Sequence, residues 1–196
     1  MMMRSIWIAT VLAAACGDPG GGEDANEFIS RVVLTFTPAA GAATMFQFDD
    51  PDGDGGAAGT SEPVSLTASA TFALTVEFLN ALETPPEDIT LEVRDEAVQH
   101  QVFFTGTAVV GPASTTGSGP LTHSYTDTDA NGFPVGLTNS VTTAAGSGEL
   151  IVTLRHMPPE EPPVKSSTTV MEVKTGGVDS IGGSTDAQVN FAVTVQ

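Results

Sequence analysis

The sequence predicts an all-β protein, namely an antiparallel immunoglobulin-like β-sandwich with one short helix inserted, and a small barrel is the second choice. Apolar side chains alternate with Ser and Thr, as at Val32, Leu34 and Phe36. This period of two is typical of strands that bury one face. Gly, Pro, Ser and Asp separate about seven to nine such segments.

The predicted strands all follow this alternation. From residue 64 to residue 78 the even positions are apolar and the odd positions are mostly Ser and Thr. Because that stretch is long for one strand, a turn over residues 67–71 is predicted to divide it. The other strands are predicted at residues 32–36, 46–48, 101–110, 121–125, 135–141, 149–156 and 187–195, with a further short strand at 168–173.

One segment departs from the alternation. The sequence Thr-Pro-Pro-Glu from residue 84 has the spacing of a capping box, with Pro at the first helical position. Apolar residues then recur every four positions, at Ile89, Val93 and Ala97. A short helix is therefore predicted over residues 85–99, lying across the sandwich.

The N-terminus has the features of an export signal over residues 1–15. Arg4 precedes an uncharged apolar run at residues 6–15, which is shorter than the roughly 20 residues that span a bilayer. The run ends in three alanines before Cys16, the only cysteine of the chain. The segment resembles the lipobox of bacterial lipoproteins, although Leu12 stands four places before the cysteine, where the lipobox has leucine three places before it. The resemblance implies lipidation of Cys16, and the alternative is an ordinary secretory signal.

The rest of the chain divides into a tether and one domain. Residues 16–27 are Gly-rich and acidic and predict a flexible tether. Residues 28–196 are enough for a single β-sandwich domain with a core. The chain has 24 acidic and 6 basic residues, a net charge of −18. This charge argues against nucleic-acid binding and is compatible either with cation binding or simply with solubility.

Two acidic loops resemble the start of a calcium-binding loop, in which carboxylates at alternate positions precede a Gly. Neither loop has Glu at the twelfth position, and strands flank both, so neither is an EF-hand. The alternative is that Asp, Asn and Gly serve only as turn residues. The candidate ligands for calcium or another cation are Asp50, Asp52 and Asp54 in the first loop and Asp127, Asp129 and Asn131 in the second.

A transition-metal site is predicted from the histidines. Glu92, Glu96 and His100 are spaced by four residues and would share one helical face if the predicted helix extends as far as His100. The alternative is a solvated acidic face that ends in a histidine near the helix C-terminus. His123 and His156 lie in phase with the apolar residues of their strands. A three-histidine site forms if the strands bring them near His100.

No enzyme is predicted. The chain contains no Gly-x-Ser-x-Gly elbow and no phosphate-binding glycine loop, and its one cysteine is assigned to the export signal. The predicted function is therefore non-catalytic binding of a cation or a small solute. The alternative is a structural or adhesive β-sandwich, whose Asp-rich turns only stabilise the fold.

Longer stretches of the chain also carry a family resemblance. They are LTFTP from Leu34, FDDPDGDGG from Phe48, VEFLNALETPPEDITLEVRDEAVQHQVFF from Val76, YTDTDANGFPVGL from Tyr125 and VTLRHMPP from Val152. These stretches look like those of small envelope lipoproteins from Bacteroidetes-type and other Gram-negative bacteria. Some members of that group are labelled type 1 periplasmic binding fold, an α/β fold that differs from the all-β pattern seen in this sequence.

The resemblance implies a lipid-anchored accessory protein of the cell envelope. Members of the group often occur beside TonB-dependent receptors, so a receptor that acquires a metal or a small nutrient is the implied partner. Gly17 rather than Asp follows Cys16, which favours the outer membrane over the inner membrane.

Overall fold

The computed structural model describes residues 28–53, 58–160, 162 and 164–196. The predicted signal peptide, the whole tether with Cys16, and Asp54 lie outside these residues. The described chain forms two β-sheets with short helices, which confirms the predicted all-β sandwich with a short helix. Among the described residues, no helix is long and apolar enough to cross a membrane.

The larger sheet has eight strands. Seven of them follow the order β3-β2-β1-β5-β10-β9-β8, and β6 pairs with β5 beside this path. All of these pairs are antiparallel except β8 with β9. The strands are β1 (Arg31–Pro38), β2 (Thr44–Asp49), β3 (Thr60–Ser61), β5 (Thr71–Asn80), β6 (Glu87–Asp88), β8 (Val109–Val110), β9 (Leu121–Tyr125) and β10 (Thr138–Thr143).

The smaller sheet has four strands in the order β4-β12-β11-β7. The pairs of β11 with β12 and with β7 are antiparallel, and the pair of β12 with β4 is parallel. The strands are β4 (Val64–Leu66), β7 (His100–Thr105), β11 (Gly146–His156) and β12 (Ser184–Val195). The predicted turn at residues 67–71 is confirmed, and it carries the chain from the smaller sheet to the larger one.

The inner faces of the two sheets form one hydrophobic core. Phe36 and Phe78 of the larger sheet and Phe104 and Phe191 of the smaller sheet are fully buried in it. Burying each of these side chains contributes about 2–3 kcal/mol to the free energy of folding, because its apolar surface is removed from water. The core therefore holds the sandwich together without any disulfide in the described chain.

The helix predicted over residues 85–99 is shorter than expected. Glu87 and Asp88 pair with β5 as strand β6, so their backbone is extended rather than helical. Helix α1 (Thr90–Asp95) begins only after them, where the Asp88 carboxylate accepts a hydrogen bond from the Thr90 amide. The helix also ends before the predicted residue 99, and it does not extend to His100, which is the first residue of β7.

Two predicted strands also differ from the structure. The stretch 101–110 is interrupted at Gly106, whose positive φ of 95° ends β7. The prediction of a strand at residues 168–173 is wrong, because helix α2 (Thr169–Gly176) occupies this stretch. A 3-10 turn (Val178–Ser180) follows the helix. Val173 of α2 packs against Phe103 on the outer face of the smaller sheet, and this contact favours helical spacing over alternation.

A buried lysine fastens the segment between β11 and α2 to the end of the sandwich. The Lys165 Nζ donates hydrogen bonds of 2.9 Å to the carbonyl oxygens of Ala97 and His100. It also forms a 2.9 Å ion pair with Asp129 Oδ2, and both side chains are fully buried. Lys165 thereby connects three separate segments beside the first residue of β7.

Burial and the contact between the two groups act in opposite directions on the pKa values of this pair. Burial lowers the pKa of Lys165, and the Asp129 carboxylate offsets only part of this effect. For Asp129, burial acts to raise the pKa, but the Lys165 ammonium and the amides of Phe133 and Asn131 outweigh it and lower the pKa. The pair is therefore held in its ionised form by mutual contact.

Replacing Lys165 with Met is expected to lower the free energy of unfolding by about 3–5 kcal/mol, because it leaves the Asp129 carboxylate buried without its cation. Urea denaturation at neutral pH measures the change. The matched control is Lys174→Met, which removes only a 3.5 Å contact between Nζ and the Gly111 carbonyl and is expected to cost under about 1 kcal/mol. Equal effects of the two variants would show that the ion pair does not hold this end of the fold.

Candidate metal centre

Two histidines face each other at one end of the smaller sheet. His100 begins β7 and His156 ends β11, and the register places them directly opposite each other. Even-numbered residues of both strands, such as Val102 and Leu154, point into the core, so both imidazoles are directed between the sheets. Their rings stack with centroids 4.4 Å apart and an interplanar angle of 11°.

Glu96 completes a group of three metal-ligating side chains with this pair. It follows the last residue of α1, and its carboxylate Oε2 lies 3.9 Å from His100 Nδ1. One ligand atom from each of Glu96, His100 and His156 lies within 4.8 Å of the others, and no other group of three among the described residues converges in this way. Both histidines are buried, whereas the Glu96 side chain is 30% exposed.

The hydrogen bonds of the pair determine which ring nitrogens can bind an ion. His100 Nδ1 lies 3.2 Å from the Glu96 carbonyl oxygen, which can only accept, so Nδ1 carries the proton in this arrangement. The Glu96 carboxylate faces the same nitrogen, so an ion shared by the two residues would have to displace this proton. His156 Nε2 is buried without a hydrogen-bond partner among the described residues. A buried polar atom without a partner is costly, and a cation bound to it would remove that cost.

The present spacing is close to that of a metal site. Ligand atoms with bonds of about 2.0–2.1 Å to a tetrahedral ion lie roughly 3.3 Å apart. Atoms within 4.8 Å of one another therefore need to move by about 1 Å or more. Since the lone pairs of stacked rings run side by side, one imidazole must also rotate for both to point at the same ion.

Asp186 lies on the other side of His100 from Glu96. Its Oδ2 is 4.0 Å from His100 Nε2, and its side chain has no exposure. Strict alternation along β12 would direct Asp186 outward, on the same face as Gln188. The pairing of β11 with β12, however, shifts register between Leu154 and Arg155. Because of this shift, no residue of β11 pairs with Asp186. A β-bulge of this kind redirects a side chain, and no period-two pattern can reveal it.

The turn that leads into the bulge also depends on one glycine. Gly183 has a positive φ of 80°, and a Cβ atom there would lie 1.8 Å from the His156 carbonyl oxygen. Only glycine allows both the backbone angle and the close approach. The sequence around residue 183 is thus constrained by the position of His156.

The structure separates the residues that were predicted to share a helical face. Glu92 lies on α1 and is exposed, and it does not belong to the convergent group. Glu96 follows the helix and His100 lies on a strand, so the prediction of one shared helical face is wrong. The two residues meet because the turn after α1 leads directly into β7.

The second acidic loop uses its carboxylates on its own backbone. Asp127 accepts hydrogen bonds from the amides of Gly136 and Thr138, at 2.8 and 2.9 Å. Asp129 accepts from the amides of Asn131 and Phe133 through Oδ1, and Lys165 lies against its Oδ2. These contacts are those of an Asp-rich turn, and an ammonium group already supplies the positive charge.

The first acidic loop is described only in part. The Asp50 carboxylate lies 3.4 Å from the Asp52 amide, as in a turn stabilised by an Asp side chain. Asp54, the third predicted ligand of this loop, lies outside the described residues. The structure therefore places Asp50 at a turn beside β2 and brings no histidine to this loop among the described residues.

His123 does not join the other two histidines. Its Nε2 lies 2.9 Å from Asn139 Oδ1, and its ring packs 4.4 Å from that of Phe104. Phe104 is four residues from His100 along β7, a distance of roughly 13 Å in an extended strand. The predicted three-histidine site is therefore not formed, and His123 is a buried core histidine.

Comparisons with known proteins identify no relative of the chain. No protein-family model, no curated protein and no solved structure matches the chain. The resemblance to envelope lipoproteins stays a prediction from the sequence. The geometry of the histidine pair is the main basis for assigning a function.

His123 is expected to make the protein less stable in acid. Burial lowers the pKa of His123 from 6.5 to about 4, although Asn139 and Asp127 act in the opposite direction. The folded state thus favours the neutral ring, and stability is lost as the pH falls from 6.5 to 4, by about 3 kcal/mol. Urea denaturation over this pH range should show a smaller loss in His123→Gln. An identical loss in variant and parent would contradict the assignment.

Proposed function

We propose that the protein is a non-catalytic envelope lipoprotein that binds a divalent transition-metal ion through Glu96, His100 and His156. One observation carries the proposal: two buried imidazoles face each other beside a carboxylate, and His156 Nε2 has no hydrogen-bond partner among the described residues. The buried His156 Nε2 would otherwise remain without a hydrogen bond.

The ligand types favour a transition metal over calcium. Imidazole nitrogens suit zinc, copper, nickel and iron, whereas calcium takes six to eight oxygen ligands. Glu96 and the two histidines provide two nitrogens and one carboxylate, which matches common zinc ligand sets. The predicted calcium loop at residues 127–131 offers no comparable group, since backbone amides and Lys165 occupy its carboxylates.

The burial of the site supports binding rather than catalysis. His100 has no exposure and His156 is 3% exposed, so a substrate larger than an ion does not reach their rings without movement of the protein. Of the three side chains, only that of Glu96 is partly exposed to solvent. A catalytic metal keeps one coordination position open to substrate, and this geometry lacks such an opening.

The cellular part of the proposal comes from the sequence. The uncharged run before Cys16, the small residues at its end and the acidic tether support export and lipid anchoring. The resemblance to lipoproteins found beside TonB-dependent receptors supports a role in passing the ion to such a receptor. The protein would then hold its ligand near the outer membrane rather than transform it.

Metal binding is expected in the full chain carrying Cys16→Ser, a change that removes the only thiol. Titration calorimetry of metal-stripped protein with zinc, copper and nickel should show one site. An ion at 100 times its dissociation constant should raise the free energy of unfolding by about 2.7 kcal/mol. His156→Gln should abolish both effects, because it removes one of the two nitrogen ligands.

The chain supplies its own control, since His123→Gln makes the same change at a buried histidine outside the group. This variant should bind the ion as the parent does. Circular dichroism of the metal-free proteins establishes that each variant is folded. Absence of binding in the parent, or equal losses in His123→Gln and His156→Gln, would refute the proposed site.

Lipid anchoring predicts that the chain incorporates a labelled fatty acid when it is expressed in a Gram-negative host. Cys16→Ser should abolish the label and release the protein from the membrane fraction, because no other thiol can receive the lipid. Gel fluorescence and fractionation measure the two effects. An unlabelled, soluble parent protein would instead indicate an ordinary secretory signal.

A further inference from the structure

We propose that the cavity between β5 and α1 binds a small zwitterion with an apolar side chain, such as a free apolar amino acid. The cavity has a volume of about 390 Å³, which lies in the range of small-molecule sites. None of the three proposed metal ligands lines it. The inference therefore assigns a second site and does not depend on metal binding.

The cavity lies where the larger sheet opens. Strands β5 and β10 pair only as far as Thr75 and Thr138. Further along β5, the amide of Phe78 donates to the hydroxyl group of Thr90, the first residue of α1, rather than to a strand. Helix α1 therefore covers the part of β5 that β10 leaves open, and the cavity remains between them.

The floor of the cavity is apolar. The buried side chains of Val76, Val135 and Leu137 contribute to it, and Ala97, which follows α1, adds a methyl group. A polar group placed against this floor would lose its hydrogen bonds to water without gaining others. The part of the ligand that contacts the floor is therefore apolar.

Opposite charges line the same cavity without pairing. Arg94 of α1 and Glu77 of β5 both belong to its lining. Neither side chain forms an ion pair or a hydrogen bond with a described residue, and the two do not pair with each other. Two opposite charges held apart in one cavity are complementary to a ligand that carries both signs, with its carboxylate on Arg94 and its ammonium on Glu77.

Arg94 differs in this respect from the other basic residues that the structure describes. Arg31 and Lys165 form ion pairs with carboxylates. Arg155 and Lys174 donate to backbone carbonyl oxygens. In a chain with 24 acidic and 6 basic residues, an arginine without such a partner is available to an anionic group of a ligand.

Asp127 adds a second negative charge to the cavity. Its carboxylate accepts hydrogen bonds from the amides of Gly136 and Thr138 and so also fixes the loop that forms one wall. The cavity thus contains two carboxylates and one guanidinium. A ligand with only a negative charge would be repelled by the carboxylates, and a ligand with only a positive charge would leave Arg94 unmatched. A zwitterion avoids both costs.

Three probes with the same apolar skeleton test the charges of the ligand. They are leucine, isocaproate, which lacks the ammonium group, and leucinamide, in which a neutral amide replaces the carboxylate. Titration calorimetry at neutral pH uses the metal-free full chain with Cys16→Ser. Leucine is expected to bind at least about tenfold more tightly than either analogue, because each analogue loses one charge-assisted hydrogen bond.

Variants with matched controls test the two side chains. Arg94→Met should lower the affinity for leucine at least about tenfold and leave the affinity for leucinamide unchanged. Lys174→Met removes a positive charge outside this cavity and should change the affinity for leucine less than about threefold. Glu77→Gln should weaken the binding of leucine but not that of isocaproate. Its control is Glu83→Gln, which removes a negative charge from an exposed position outside the cavity and should leave all affinities unchanged.

Arg94 and Glu77 are exposed, so their variants are expected to keep the thermal midpoint of the parent. Failure of the folded parent to bind leucine would overturn the proposed site. Equal losses in Arg94→Met and Lys174→Met, or equal affinities of the parent for leucine and isocaproate, would also overturn it. His156→Gln should bind leucine as the parent does, so the failure of this inference and the failure of the metal site are observed separately.

Discussion

The ion pair between Lys165 and Asp129 organises the end of the sandwich on which the candidate site depends. It joins the segment after β11 to the acidic loop after β9, and the same ammonium donates to the carbonyls of Ala97 and His100. The turn that carries Glu96 and the first residue of β7 are thereby fixed to each other. The Lys165 ammonium thereby fixes the backbone carbonyl of His100, the residue that begins β7 and carries one of the two stacked imidazoles.

A second constraint comes from the irregular start of β12. Regular alternation along this strand places Val189, Phe191, Val193 and Val195 in the core and would leave Asp186 on the outer face. The bulge opposite Leu154 reverses that orientation. Gly183 lets the preceding turn approach the backbone of His156, where any side chain would collide. The irregular residues therefore lie where the Asp186 carboxylate is brought beside the buried His100.

The sequence was sufficient to predict the sandwich because alternation is a local property of each strand. The inward direction of His156 was also predictable, since it lies in phase with Leu150, Val152 and Leu154. The partnership of His100 with His156 was not, because the register between strands about 50 residues apart depends on the whole fold. The helix was predicted too long, since its capping pattern gave no sign that Glu87 and Asp88 pair with β5. Lys165 and Asp186 were missed because loops and bulges carry no periodicity.

The histidine pair is a better candidate for a cation than the acidic loop at residues 127–131, because the carboxylates of that loop already have partners. Each carboxylate of that loop accepts from backbone amides, so an incoming ion would have to replace hydrogen bonds that already stabilise the turn. At the pair, His156 Nε2 has no such bond among the described residues, and an ion would gain a ligand without displacing a donor. The free energy of metal binding is more favourable where the ion replaces no existing hydrogen bond. A plentiful supply of carboxylates is therefore a weaker indication of a metal site than one buried nitrogen without a hydrogen-bond partner.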